Sequence, residues 1–309
     1  MSLIKLKGMK HHFELRENIH SPILYGTSYE PASVVGVVLF IHDVNENRFR
    51  YEKVAKYFNE RHLAFVTYDL RGHHKSLIDD KKGHFGDDEG AELLLSDALD
   101  VLDYMKNRYY HVPFILMGQG FGAHLAKLVF DVNPDQFNHL VLVNPTSLPS
   151  MSSLRHFLLN VLTYRKPRKK VLSLNKWMGV SFYDKDEQKR YAFLSNDKDI
   201  VHQYIQDPFC GYSLTQRAIR DALRIMIESQ SIELNPSNSE IGVTIIGGKE
   251  DPLTHYGRDL VTLKRNFIQA GYSNTTLSIF EYLKHDVLLE IDSSYQLNHL
   301  LETLCYQFY

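Results

Sequence analysis

Short apolar, β-branched runs alternate along this chain with longer segments whose apolar residues recur at helical spacing. That alternation does most to narrow the possible folds. Val35–Ile41 ("VGVVLFI") is continuously apolar, the pattern of a strand covered on both faces. Arg48–Arg61 follows, with Tyr51, Val54, Ala55 and Phe58 on one helical face. Leu63–Tyr68 is another strand, and Ala91–Arg108 an amphipathic helix with Leu94, Leu95, Ala98, Leu99, Leu102 and Met105 in its stripe. Phe114–Met117, the helix Phe121–Val132 and Leu140–Val143 repeat the round. Elements ordered this way build a mostly parallel sheet with helices on both faces, an α/β fold.

The alternation stops after Asn144-Pro145. From Thr146 to about Ser239 the chain is mostly helical and loop-like, richer in aromatic and basic residues. Val243–Ile246 resumes the strand pattern, followed by a helix near Asp259–Ala270, the strand Thr276–Phe280 and a last helix, Tyr295–Tyr309. The expected organisation is a core of residues 1–145 and 240–309, with 146–239 inserted as a cap. The cap would lie over the C-terminal edge of the sheet, where open α/β sheets bind ligands. The composition, 44% apolar and 23% charged over 309 residues, is that of a globular protein, and a net charge of −2 gives no reason to expect nucleic acid. With 2 cysteines, Cys210 and Cys305, there is no sign of a disulfide framework. The opening "MSLIKLKGMKHHF" lacks a signal peptide's apolar core, and no window approaches the roughly 18 apolar residues of a membrane span. A cytoplasmic, soluble protein is expected.

The stretch Phe114–His124, "FILMGQGFGAH", joins a buried run to a helix through a glycine-dense turn. Gly118-x-Gly120-x-x-Ala123 satisfies the dinucleotide fingerprint G-x-G-x-x-G/A. That fingerprint belongs to the first βαβ unit and needs an acid at the end of the next strand. Here the next strand ends in Leu142-Val143-Asn144, which argues against a nucleotide.

Taken with its surroundings, the stretch points elsewhere. Asp69-Leu70-Arg71-Gly72-His73 resembles a D-x-R-G-H-G-x-S motif; "FIHDVNENRFRYEKVAKYF", "DPFCGYSLT" at Asp207–Thr215 and "YLKHDVLLE" follow in matching order. Over nearly its whole length the chain resembles an α/β-hydrolase of the monoacylglycerol lipase and lysophospholipase group. The resemblance implies an α/β-hydrolase fold and hydrolysis of a carboxylic ester, a monoacylglycerol or lysophospholipid, by a serine, a histidine and an acid in the order Ser…Asp…His. Asp251 in "GGKEDPLTHY" stands at the place of the acid and His285 in "YLKHDVLLE" at that of the histidine. Val44 and Phe121 would supply the oxyanion-hole N–H groups. No cofactor or metal is expected. The adjacent pairs His11-His12 and His73-His74 alternate in direction and do not read as metal sites.

Two departures stand out. The nucleophile position is Gly120, which cannot form an acyl-enzyme. In His42-Asp43-Val44, Asp43 replaces the glycine of the family's His-Gly pair: harmless if its carboxylate points outward, opposed to an oxyanion if inward. Two departures in one site favour natural loss of the serine over a laboratory substitution, and the N-myc downstream-regulated family similarly lacks it. The expected function is therefore that of an ester hydrolase impaired at its nucleophile. The alternative is a non-catalytic protein that binds a lipid or other apolar ligand. In the cap, Phe157, Leu158, Leu159, Trp177, Phe182 and Phe193 line either an acyl-chain pocket or the cap's own core. The basic run Arg165-Lys166-Pro167-Arg168-Lys169-Lys170 is a solvated face or a weak membrane contact.

Overall fold

The computed structural model describes residues 9–16, 21–148, 151–163, 166–170, 186–231, 240–290 and 293–305. One eight-stranded sheet runs through it in the order β1-β2-β4-β3-β5-β6-β7-β8. Its strands are β1 (Met9–Leu15), β2 (Leu24–Glu30), β3 (Gly36–Ile41), β4 (Leu63–Tyr68), β5 (Phe114–Gln119), β6 (His139–Val143), β7 (Gly242–Gly248) and β8 (Thr275–Phe280). The first two pair antiparallel with each other, and β2 with β4; the rest are parallel.

The continuous apolar runs follow from this placement. In β3, Val37, Leu39 and Ile41 enter one core while Val38 and Phe40 enter the other. Ala64, Val66 and Tyr68 of β4 divide from Leu63 and Phe65 in the same way. Each fully buried Val, Leu, Ile or Phe contributes roughly 1.5–3 kcal/mol, so a polar residue on either face would be costly.

The segment predicted as one helix over residues 48–61 divides in two. Asn47 caps a 3-10 turn at Arg48–Tyr51, and α1 follows at Glu52–Asn59. Then come α2 (Gly90–Arg108) and α3 (Phe121–Val132). Between β6 and β7 lie α4 (Ser152–Thr163), α5 (Glu187–Arg190), α6 (Lys198–Gln206) and α7 (Gln216–Glu228). The chain closes with α8 (Arg258–Gln269) and α9 (Ser293–Cys305). Strands β1 and β2 have no counterpart in the pattern read from the sequence: β1 leaves most of its residues exposed or half-buried, and β2 buries polar Thr27, Ser28 and Glu30. Trp177 and Phe182 lie outside the described residues.

Candidate active site

The parallel strands deliver four loops to their C-terminal ends, and these loops carry the site. After β5 the chain turns at Gly120 with φ 57° and ψ −120°, a conformation that disfavours any side chain, and enters α3 at Phe121. The neighbouring glycines are equally constrained. A Cβ on Gly118 would strike the Gly122 backbone, and one on Gly122 would strike the carbonyls of Ile41 and His42. The glycine-rich spacing thus reflects helix α3 packed directly onto β3 and β5.

Asp251, at the end of β7, is buried and accepts the Leu253 N–H through Oδ1 at 2.8 Å. Its Oδ2 lies 2.9 Å from Nδ1 of His285, on the loop after β8. Asn144, at the end of β6, holds that loop by donating to the carbonyls of Lys284 (3.0 Å) and His285 (2.7 Å), while its Oδ1 accepts the Gly248 N–H at 3.0 Å. From the other side the segment after α5 pins the loop, His285 N–H reaching Phe193 O at 3.3 Å and Asp286 N–H reaching Leu194 O at 2.7 Å.

Asp43 points inward. Its Oδ1 accepts two backbone N–H groups, Phe121 at 2.6 Å and Val44 at 2.8 Å. Its Oδ2 lies 3.0 Å from Nε2 of His285. The two N–H groups named as oxyanion donors therefore do converge, but on a carboxylate of the chain itself. A Cβ built on Gly120 would have the Asp43 carboxylate as its three nearest atoms, all under the 3.0 Å floor for real Cβ contacts. One carboxylate occupies both the point where the Val44 and Phe121 N–H groups converge and the space beside Gly120.

Charge fixes the protonation of His285. Burial alone would push the imidazolium down, but Asp251 and Asp43 on its two nitrogens together hold it well above the usual histidine range. Both ring nitrogens then donate, one to each carboxylate.

The loop carrying Asp43 rests on residues the sequence did not single out. Glu46 Oε1 accepts the Asp43 N–H at 2.9 Å and the Tyr51 hydroxyl at 2.6 Å, and Glu46 pairs with Arg50. Arg50 in turn reaches Asp286 at 2.6 Å, which also accepts from Gln119 at 3.1 Å. Burial pushes the Glu46 carboxyl up to about 7; Arg50 opposes this, and Asp286 and Asp43 add to it. Below the loop, His42 Nε2 accepts the Leu70 N–H and His73 Nε2 the Asn45 N–H, each at 3.1 Å. Burial lowers both histidines, His73 to about 3 with His42 adding, so both stay neutral and can accept. The aspartate and arginine of the Asp69–His73 motif are likewise buried in ion pairs, Asp69 with Arg48 and Arg71 with Asp97.

The model for the family described as "Serine aminopeptidase, S33" matches residues 32–292. The chain belongs to that family. Among this S33 chain's relatives is a monoglyceride lipase homolog of monkeypox virus, 24% identical over 288 residues, covering 89% of this chain and 91% of the relative. Mouse monoglyceride lipase is 25% identical over 187 residues, covering 55% of this chain and 57% of the relative. A carboxyl esterase from Bacillus coagulans superimposes with a TM-score of 0.86 at 18% identity, covering 97% of this chain and 99% of the other. The monoacylglycerol lipase of Paleococcus ferrophilus gives 0.70 at 18% identity, with 92% and 99% covered. The fold is that of the α/β-hydrolases.

The side chains singled out between residues 146 and 239 of this S33 chain lie in different surroundings. Phe157 and Leu158 are 62% and 42% exposed on α4, while Leu159 is buried. Phe193 packs with Tyr191, Leu194, Val201, Tyr204 and Leu253, its ring centroid 6.0 Å from that of His285. Arg168 is not a free charge, being paired with Asp79 and Asp87. Arg165 lies outside the described residues. Ser147, the nearest serine in sequence to the turn after β6, has a buried hydroxyl on a cavity of about 270 Å³ also lined by His124, Lys127 and Thr146. Neither Asp43 nor His285 borders that cavity.

Proposed function

We propose that this chain is a monoglyceride-lipase-like member of a hydrolase family that does not turn over carboxylic esters by the acyl-serine route. Gly120 takes the vacated nucleophile position, Asp251 and His285 are the surviving acid and base, and Val44 and Phe121 are the hole's donors. Residues 146–239 act as its cap. The supporting observation is the seat of the Asp43 carboxylate, which holds both N–H donors and the His285 ring. An ester carbonyl entering the site finds the Val44 and Phe121 N–H groups already held by Asp43, and a protonated His285 cannot act as a general base. The test is turnover of a monoacylglycerol and of short p-nitrophenyl esters, with labelling by a fluorophosphonate. No turnover above buffer and no label are expected; stoichiometric labelling would overturn the reading.

A second reading, retention of a lipid-like or other apolar ligand by a non-catalytic protein, is favoured by the cap. Leu154, Phe157, Leu158 and Val161 recur at helical spacing along α4 and are all exposed, beside the equally exposed Met151. An apolar stripe of this kind suits a weak contact with a membrane surface or lipid aggregate. Among the described residues no helix is long and apolar enough to cross a membrane. Sedimentation with phosphatidylcholine vesicles measures the contact, and Phe157→Asp with Val161→Asp should abolish it. The low cysteine content fits a cytoplasmic location.

A further inference from the structure

The carboxylate that blocks ester hydrolysis is itself arranged as a reactant. Oδ1 is held by two N–H groups, whereas among the described residues Oδ2 accepts only from His285. The Asp43 side chain retains 15% exposure, against 1% for His285, so an incoming molecule meets the aspartate first. We propose that Asp43 is a covalent nucleophile, and that this site opens epoxides through an ester on Asp43 which the His285–Asp251 pair hydrolyses to a diol.

The hydrogen bonds select the class of electrophile. An acyl substrate develops negative charge on its own carbonyl oxygen and needs the Val44 and Phe121 N–H groups, which Oδ1 already holds. Substitution at a saturated carbon makes no such demand. Once Oδ2 has bonded to carbon, Oδ1 is the carbonyl oxygen of the new ester and sits in a preformed oxyanion hole. The donors that are useless to an incoming ester are thus placed for the hydrolysis of an ester formed on Asp43.

Between saturated electrophiles, the proton on His285 decides. A departing halide needs donors for a free anion, and the site's N–H groups are taken. A ring-opened epoxide stays attached and needs a proton, which His285 carries between its two carboxylates. Oδ2 attacks a ring carbon, the carbon–oxygen bond breaks, and the alkoxide takes the Nε2 proton. The imidazole, now neutral, removes a proton from water as the water oxygen bonds to Cγ, and the charge falls on Oδ1. Collapse breaks the bond between Cγ and Oδ2, the departing oxygen takes the proton back, and the diol leaves. The Asp43 carboxyl then returns its proton to His285. The sum is epoxide plus water to diol, and Asp251 holds the ring throughout.

The test uses the wild-type protein and a long-chain terminal epoxide in water enriched in 18O. Diol formation above the spontaneous rate is expected, with the peptide containing Asp43 gaining 18O over many turnovers. In a single turnover the diol should carry the unlabelled oxygen of Asp43. Asp43→Asn should lose both diol and label, and a primary alkyl chloride should leave the protein unmodified. No diol with wild type, diol without label in Asp43, or faster alkylation by the chloride than by the epoxide would each overturn the proposal. The ester assay above tests the earlier reading separately, because neither outcome here depends on it.

Discussion

Restoring serine at position 120 sets two side chains against one volume. The Cβ alone would fall under 3.0 Å from the Asp43 carboxylate, so Gly120→Ser must expel Asp43 from its seat. Expulsion loses the bonds to Phe121, Val44 and His285. Hydrogen bonds to charged groups contribute about 1.5–3 kcal/mol each, and part is recovered in water, so the loss is about 3 kcal/mol. A serine at φ 57° adds backbone strain, on the order of 1–3 kcal/mol. Gly120→Ser should therefore cost about 4–6 kcal/mol in total by these two terms. Asp43→Gly alone forfeits the same bonds and should cost about 3 kcal/mol. The decisive expectation is non-additivity: with serine at 120 the aspartate is already displaced, so adding Asp43→Gly should cost almost nothing more. Urea unfolding of wild type, both single variants and the double variant closes the cycle. Fluorophosphonate labelling reads the chemistry, and only the double variant, with its N–H donors freed, should label. Additive destabilisation, or equal labelling of Gly120→Ser alone, would refute the argument that one carboxylate fills both places.

Three further outcomes follow from the same geometry. Asp43→Asn removes one of the two carboxylates that raise His285, so the imidazole should titrate at lower pH, observable by 15N NMR of the ring; an unchanged or higher value would contradict the pairing. Because the folded value of His285 lies above the ordinary one of about 6.5, its stabilisation is complete below that pH and is lost as pH rises through the folded value. The stability gap between wild type and His285→Gln should therefore shrink above about pH 6.5, and a gap that widens toward alkaline pH would be the wrong sign. Asn144→Ala strips three bonds from the β6, β7 and β8 loop ends and should destabilise the fold by about 2–4 kcal/mol in urea melts.

The sheet was legible because its central strands are buried on both faces, so nearly every residue from Val37 to Ile41 had to be apolar. β1 escaped because it is a mostly open edge strand, with His11-His12 inside it, and β2 because its buried residues include Thr27, Ser28 and Glu30 rather than an apolar run. Of the candidate site, the contact between Asp251 and His285 was legible through the family resemblance and their places after strands, and the glycine turn through its spacing. The inward turn of Asp43 was not legible. A carboxylate beside a glycine reads the same whether it faces water or two N–H groups, and only the approach of α3 to the loop after β3 decides it. Glu46, Arg50 and Asp286 were missed for a related reason, since charged residues spread between positions 46 and 286 look solvated until the fold closes them into one buried network.

Gly120 leaves a space that a tethered acid fills, and this has a consequence for what can compete there. A free fatty acid, boronic acid or other anion seeking the Val44 and Phe121 N–H groups must displace a carboxylate that cannot diffuse away. A group attached by a short linker counts as a local concentration of millimolar or higher, and this one is held by three hydrogen bonds as well. A ligand whose affinity comes only from its acid group loses that contest at micromolar concentration. Anything that binds this protein tightly must therefore draw its affinity from contacts away from the two N–H groups. The usual chemical reporters of serine hydrolases would pass it by even in a mixture where it was abundant.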